Sequence, residues 1–279
     1  MERQTSIAII TCWYGKYPWY FSYFIHSCSF NSTVDFLIIT DNIEEISNKP
    51  ENVKIISKSI DDIKAITSKK LNFPVNIDYP YKLCDFKPAY GFIFSELLEN
   101  YDYWGHADID IVYGNIREFM TEEIFQNYDV ISSRHDYITG SFCLFRNTVL
   151  INKLFLESKD YKLVFSSSEH FCFDECNFLF SELSNGASIF DFTTNIQSMT
   201  YLVKKAENEG RLTALFDFLI IEGTPGKIKF DNGQLSYKNM FIIMFYHLIK
   251  FKVDCKSPVL LHPIPNTYHF TKKNIKLTI

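Results

Sequence analysis

Short apolar runs that stop abruptly at polar residues set the tightest limit on how this chain can fold. Residues 6–11 (Ser-Ile-Ala-Ile-Ile-Thr) read as a buried strand rich in isoleucine, and 34–40 (Val-Asp-Phe-Leu-Ile-Ile-Thr) as a second. A third run covers 52–57. Between the first two, the polar-aromatic loop 12–18 leads into apolar spacing that allows a helix up to Cys28. A β-α-β-β opening with polar residues at the strand C-termini fits the nucleotide-binding half of a parallel sheet.

The pattern continues along the chain. Pro88 suits the first turn of a helix reaching about Asn100, with Tyr90, Ile93, Phe94, Leu97 and Tyr101 at i, i+3, i+4, i+7 spacing. Further strands are expected at 101–107, 129–133 and 140–146, and helices at 147–158 and 174–183. Asn232-Gly233 at the centre of 227–237 marks a β-hairpin. No repeat or linker divides the 279 residues. The expected class is therefore a single α/β domain, a mostly parallel, Rossmann-like sheet flanked by helices with a small C-terminal extension.

Composition removes several classes. With 47% hydrophobic and 22% charged residues the chain is neither disordered nor fibrous. A net charge of −5 without a long basic run argues against nucleic acid as a partner. Seven cysteines, an odd number with no CxxC pair, suit reduced thiols and a cytoplasmic setting; Cys172 and Cys176 lack the second pair a zinc site would need. The longest apolar run, 240–249, contains His247 and falls short of the ~18 residues of a membrane span. Peripheral contact with the inner face of the cytoplasmic membrane stays open. The 27 Phe and 17 Tyr reflect either AT-rich codon usage or surfaces that cover sugars and nucleobases.

Asp108-Ile109-Asp110 is the most informative motif. On an extended backbone both carboxylates face one way while Ile109 points into the core. Like charges that close call for a cation, and a hard divalent ion with carboxylate, water and phosphate ligands is the natural partner. Asp85 and Lys87 precede the helix expected from Pro88, where phosphate is well received; the alternative is a helix-capping aspartate and a solvated lysine. Trp13 or Tyr14 could stack on a nucleobase, with Thr11 and Asp41 beside it, or Trp13 simply packs in the core.

The stretch 82–88 (Lys-Leu-Cys-Asp-Phe-Lys-Pro), an intervening helix, and then 104–114 (Trp-Gly-His-Ala-Asp-Ile-Asp-Ile-Val-Tyr-Gly) resemble bacterial glycosyltransferases of polysaccharide (capsule or O-antigen) biosynthesis, GT-A-type enzymes with a DxD motif after a central strand. The resemblance spans roughly the first two thirds of the chain. It implies a nucleotide-sugar donor such as a UDP-sugar, a Mn²⁺ or Mg²⁺ ion, and a glycan or lipid-linked glycan acceptor. It also implies a donor half at 1–115, an acceptor half at 116–210 and a closing extension at 211–279.

Further roles follow from that resemblance. Asp108 and Asp110 would hold the metal and the donor. His247, in Tyr246-His247-Leu248-Ile249-Lys250, would be a third ligand with Lys250 on the diphosphate, unless it is a hydrogen-bonded core histidine; His262 and His269 are rivals. Asp174 or Glu175 would deprotonate the acceptor, favouring inversion, unless both serve a helix N-terminus. Arg134, His135, Gly140 and Ser141 would line the acceptor side. Two other classes compete: a binding module of the same fold without catalysis, and a metal-dependent nucleotidyl or phosphoryl transferase. Against the latter, no Gly-rich phosphate loop is present.

Overall fold

The computed structural model describes residues 3–255 and 261–277. The first strands in chain order are β1 (Ile7–Cys12), β2 (Val34–Thr40), β3 (Val53–Ser57), β4 (Tyr103–Ala107), β5 (Ile111–Tyr113), β6 (Val130–Ser132), β7 (Phe142–Arg146) and β8 (Ala214–Phe216). Among the described residues, all of these but β5 form a seven-stranded sheet ordered β3-β2-β1-β4-β7-β6-β8. It is mostly parallel: β7 alone runs against its neighbours β4 and β6.

Burial on both faces explains why the strand sequences are continuously apolar rather than alternating. Ile7, Ile9, Phe36 and Ile38 enter one core, while Ala8, Ile10, Leu37 and Ile39 enter the other. Helix α1 (Phe21–Ser29) packs Tyr23, Phe24 and Cys28 onto the first face. Helix α2 (Ile60–Leu71) lays Ile63 on the second, and begins with a capping box between Ser59 and Asp62.

Three expected helices take another form, the one at 147–158 breaking into a turn at Val149–Asn152 and a 3₁₀ turn at Leu154–Glu157. Pro80–Ala89 is a 3₁₀ helix with Pro88 inside it, followed by short turns at Tyr90–Ile93 and Ser95–Leu97 in place of a helix to Asn100. Asp85 and Lys87 therefore do not sit at a helix N-terminus. Residues 173–178 form successive turns with left-handed backbone at Cys172, Asn177 and Phe178, and the helix begins only at Phe180. Asp174 and Glu175 consequently cap no helix.

The C-terminal part starts by completing the central sheet with β8. It then supplies β9 (Ile220–Ile221), β10 (Ile228–Asp231), β11 (Gln234–Tyr237), β12 (Phe241–Ile243), β13 (Phe245–His247), β14 (Thr267–Phe270) and β15 (Ile275–Leu277). The expected hairpin is β10–β11, with Asn232 and Gly233 both at positive φ (48° and 89°), the backbone that suits a tight two-residue turn. It belongs to an antiparallel sheet ordered β12-β11-β10-β14-β15. A small sheet, β5-β13-β9, links this part to the centre and sets His247 opposite Ile111, directly after the Asp-Ile-Asp turn.

Candidate functional site

Asp108, Ile109 and Asp110 form the turn between β4 and β5 rather than an extended strand end. The side-chain arrangement is nonetheless the expected one. Ile109 is buried in the core, and both carboxylates line one cavity of about 550 Å³. The Asp108 N–H donates to the Ser141 carbonyl at 3.0 Å, tying the turn to the start of β7.

Asp108, Asp110 and His247 present ligand atoms that all lie within 4.8 Å of one another. His247 Nε2 is 3.4 Å from Asp110 Oδ1 and 3.9 Å from Asp108 Oδ2, while Nδ1 is 2.9 Å from Glu222 Oε1. A carboxylate on Nδ1 fixes the ring and aims Nε2 at the aspartates, as in many metal-binding histidines. Burial alone would lower the imidazole pKa, but Asp110 and Glu222 overcome it and push it up to about 10. Two carboxylates and one imidazole are donors that could hold a divalent ion such as Mn²⁺ or Mg²⁺. Two lysines balance the aspartates: Lys87 Nζ lies 2.6 Å from Asp108 Oδ1, and Lys252 Nζ 2.6 Å from Asp110 Oδ2. Burial would raise the Asp110 pKa, yet His247 and Lys252 hold it well below the ordinary carboxylate range.

Asp174 and Glu175 occupy the same cavity in a different setting. Burial raises the Asp174 pKa far above its ordinary value; Lys87, 3.9 Å away, opposes this, and Glu175 adds to it. Asp174 Oδ1 is buried without a hydrogen-bond partner. Burial likewise raises Glu175, although its Oε1 accepts from the Gly140 N–H at 2.8 Å. Gly140 has to be glycine here: an added Cβ would stand 2.5 Å from Asp174 Oδ2. Lys87 joins the two halves of the site, bonding Asp108 and the Gly140 carbonyl (2.8 Å) from a nearly sealed position.

Thr11, Trp13, Tyr14, Lys87, Gly140 and Ser141 also line the cavity. Five other expected residues stand outside its wall. Asp41 is exposed and accepts from the Gly15 N–H at 3.1 Å, bracing the loop that carries Trp13 and Tyr14. Asp85 is sealed in the core, where it accepts from the Phe171 and Phe173 N–H groups and from Lys82 and lies beside His170; it holds the segment leading to Asp174. Lys250 is exposed at a helix N-cap, and Lys252 turns inward instead. Arg134 is committed to Asp136 and Glu222, and His135 is exposed against Phe218. Of the rival histidines, His262 is exposed and His269 lies on β14 in the C-terminal sheet.

Glu222, Lys252, Tyr20, Tyr81 and His170 also line the cavity, and no sequence motif marks them. Glu222 follows the Ile-Ile pair of β9, and only the pairing of β9 with β13 brings it to His247. Residues 9–276 match a family described as a family of unknown function, DUF6625. The chain belongs to that family. No curated protein matches the sequence. In this DUF6625 chain the match includes every cavity residue named above. No helix among the described residues is long and apolar enough to cross a membrane.

Proposed function

We propose that this protein is a metal-dependent glycosyltransferase of GT-A type, moving a sugar from a nucleotide-sugar donor, such as a UDP-sugar, to a glycan or lipid-linked glycan acceptor. The observation that carries the reading is the pairing, within one cavity, of a lysine-balanced Asp108/Asp110/His247 cluster with the buried carboxylates of Asp174 and Glu175. The reading extends to bacterial capsule or O-antigen synthesis in the cytoplasm, at the inner face of the membrane. The order of the mostly parallel sheet, with the site just beyond the C-terminal end of β4, agrees with it.

Asp108, Asp110 and His247 are the residues that would hold Mn²⁺ or Mg²⁺. Such an ion, when bound, offsets charge building on a nucleoside diphosphate leaving group. Lys87 and Lys252 supply positive charge to the same place, which a chain of net charge −5 needs if it is to receive a diphosphate. Trp13 and Tyr14 offer flat surfaces to the base at the end of β1. In the same cavity, on the other side of Lys87, Asp174 or Glu175 takes the proton from the acceptor hydroxyl. Burial raises both above their ordinary values, which makes either carboxylate a stronger base than an exposed one. A base in the same cavity as the donor cluster favours inversion by direct displacement.

A donor panel tests the reading. The protein is incubated with UDP-, GDP- and CMP-sugars, with and without Mn²⁺, and release of the nucleotide is measured. Metal-dependent release from one donor class, lost in Asp110→Asn, is expected. Intact donors throughout, with or without glycan acceptors, would leave the inactive binding module as the better reading.

A further inference from the structure

The C-terminal sheet carries a charge that the rest of the chain does not. From Arg211 onward the sequence holds ten lysines and arginines against four aspartates and glutamates, while the whole chain holds 28 against 33. Much of this charge gathers at one end of the sheet. Lys227 precedes β10, Lys238 follows β11, and Lys272 and Lys273 lie in the turn between β14 and β15. The Lys238 N–H donates to the Lys227 carbonyl at 2.8 Å, and an added Cβ on Gly226 would meet Lys272 Cγ at 3.2 Å, so the three turns are contiguous. All four lysines are exposed, and among the described residues none forms an ion pair.

Large apolar side chains stand out at the same end. Met240 and Phe241, in the turn after Lys238 and the start of β12, are 74% and 56% exposed. The short helix Phe251–Asp254 joins this end through the Cys255 thiol on the Lys273 carbonyl and Thr224 on Asp254. It adds Val253, 60% exposed, and Ile249 just before it is exposed at the cavity lining. A polar protein gains nothing in water from such side chains beside unpaired lysines. An anionic bilayer answers both, since lysines meet lipid phosphates while Met and Phe enter the headgroup region.

We infer that this end of the C-terminal sheet, built on Lys227, Lys238, Met240, Phe241, Lys272 and Lys273, docks the protein on an anionic lipid bilayer. The short helix that reaches the bilayer also delivers Lys252 to Asp110, so the cavity mouth at Ile249 sits close to the lipid surface. If the proposed transfer reaction holds, the acceptor presented there is carried on lipid. The docking itself does not depend on that reaction. The net charge of −5 does not oppose it, because charges beyond about a Debye length of the contact are screened.

Co-sedimentation with vesicles tests the surface using the full chain. Vesicles of phosphatidylcholine with about 30% phosphatidylglycerol are compared with phosphatidylcholine alone, at low and high salt, with lipid partitioning as the readout. Wild-type protein is expected to pellet with the anionic vesicles and to be released by salt. Replacing the four lysines by glutamate should lower partitioning about tenfold or more, given the contribution of each lysine near an anionic surface. Met240→Ser with Phe241→Ser should weaken it several-fold at unchanged salt dependence. Thermal melts of both variants control for folding. Wild-type protein left in the supernatant, or variants that pellet as well as wild type, would overturn the inference whatever the enzyme assay shows.

Discussion

Two carboxylate pairs face one cavity, and Asp110 in one and Asp174 in the other are pushed in opposite directions by their surroundings. Asp110 lies among His247 and Lys252, which hold it ionised far into acid. Asp174 lies under protein with Lys87 on one side and an unpartnered oxygen on the other, and its pKa is raised. One pair is matched to cations; the other is poised to take a proton. Carboxylates separated in this way by environment mark different roles in one reaction.

The largest expected effect tests the first pair. Asp108→Asn or Asp110→Asn should abolish metal-dependent transfer, by 10³-fold or more on the scale of a lost metal and charge-stabilising group. Because Asp110 also pairs Lys252 and His247, its loss should destabilise the metal-free fold by roughly 2 kcal/mol, read as a lower Tm. Asp174→Asn and Glu175→Gln come next. The variant that removes the base should lose about 10²–10⁴-fold in kcat while nucleotide binding persists.

Asp110 and Asp174 should respond oppositely to pH. Asp174 has a folded-state pKa above its unfolded value, so it favours the fold below the unfolded value, and that stability is lost as pH rises toward the folded pKa. Asp174→Asn should therefore raise Tm at neutral pH, where Asp110→Asn lowers it. Asp110, depressed in the fold, contributes stability above the unfolded carboxylate pKa near 4 that is lost as pH falls below it. Tm measured from about pH 2 to 8 on both variants checks the two signs together. If Asp174→Asn loses stability at pH 7, the contrast between the pairs disappears.

Smaller effects sharpen the contacts. Glu222→Gln leaves His247 in place but weakens the group that orients it, and should cost about 10–100-fold in metal affinity by calorimetry. Gly140→Ala should push Asp174 aside, lowering kcat more than donor affinity.

The central sheet and the Asp-Ile-Asp motif were legible because each is local. Buried parallel strands need continuous apolar runs, and a buried Ile109 between two cavity-facing aspartates needs only adjacent positions. What escaped depends on chain segments brought together from afar. Glu222 reaches His247 through the β9–β13 pairing, and Asp85 anchors the backbone of residues 171–173 from 86 positions away. Lys252, rather than Lys250, meets Asp110 because the chain turns into a helix at Phe251, a turn no short motif encodes. The helix expected at 174–183 begins only at Phe180, because the left-handed residues at 172, 177 and 178, which no local motif announces, break the segment carrying Asp174 and Glu175.

Calorimetric titration of UDP and other nucleoside diphosphates into the protein, with and without Mn²⁺, bears most directly on the central claim. Binding should require the ion and be lost in Asp110→Asn, while Asp174→Asn still binds. Nucleotide binding that ignores both the ion and Asp110, or no binding under any condition, would contradict it and leave Asp108 and Asp110 as partners of Lys87 and Lys252 alone.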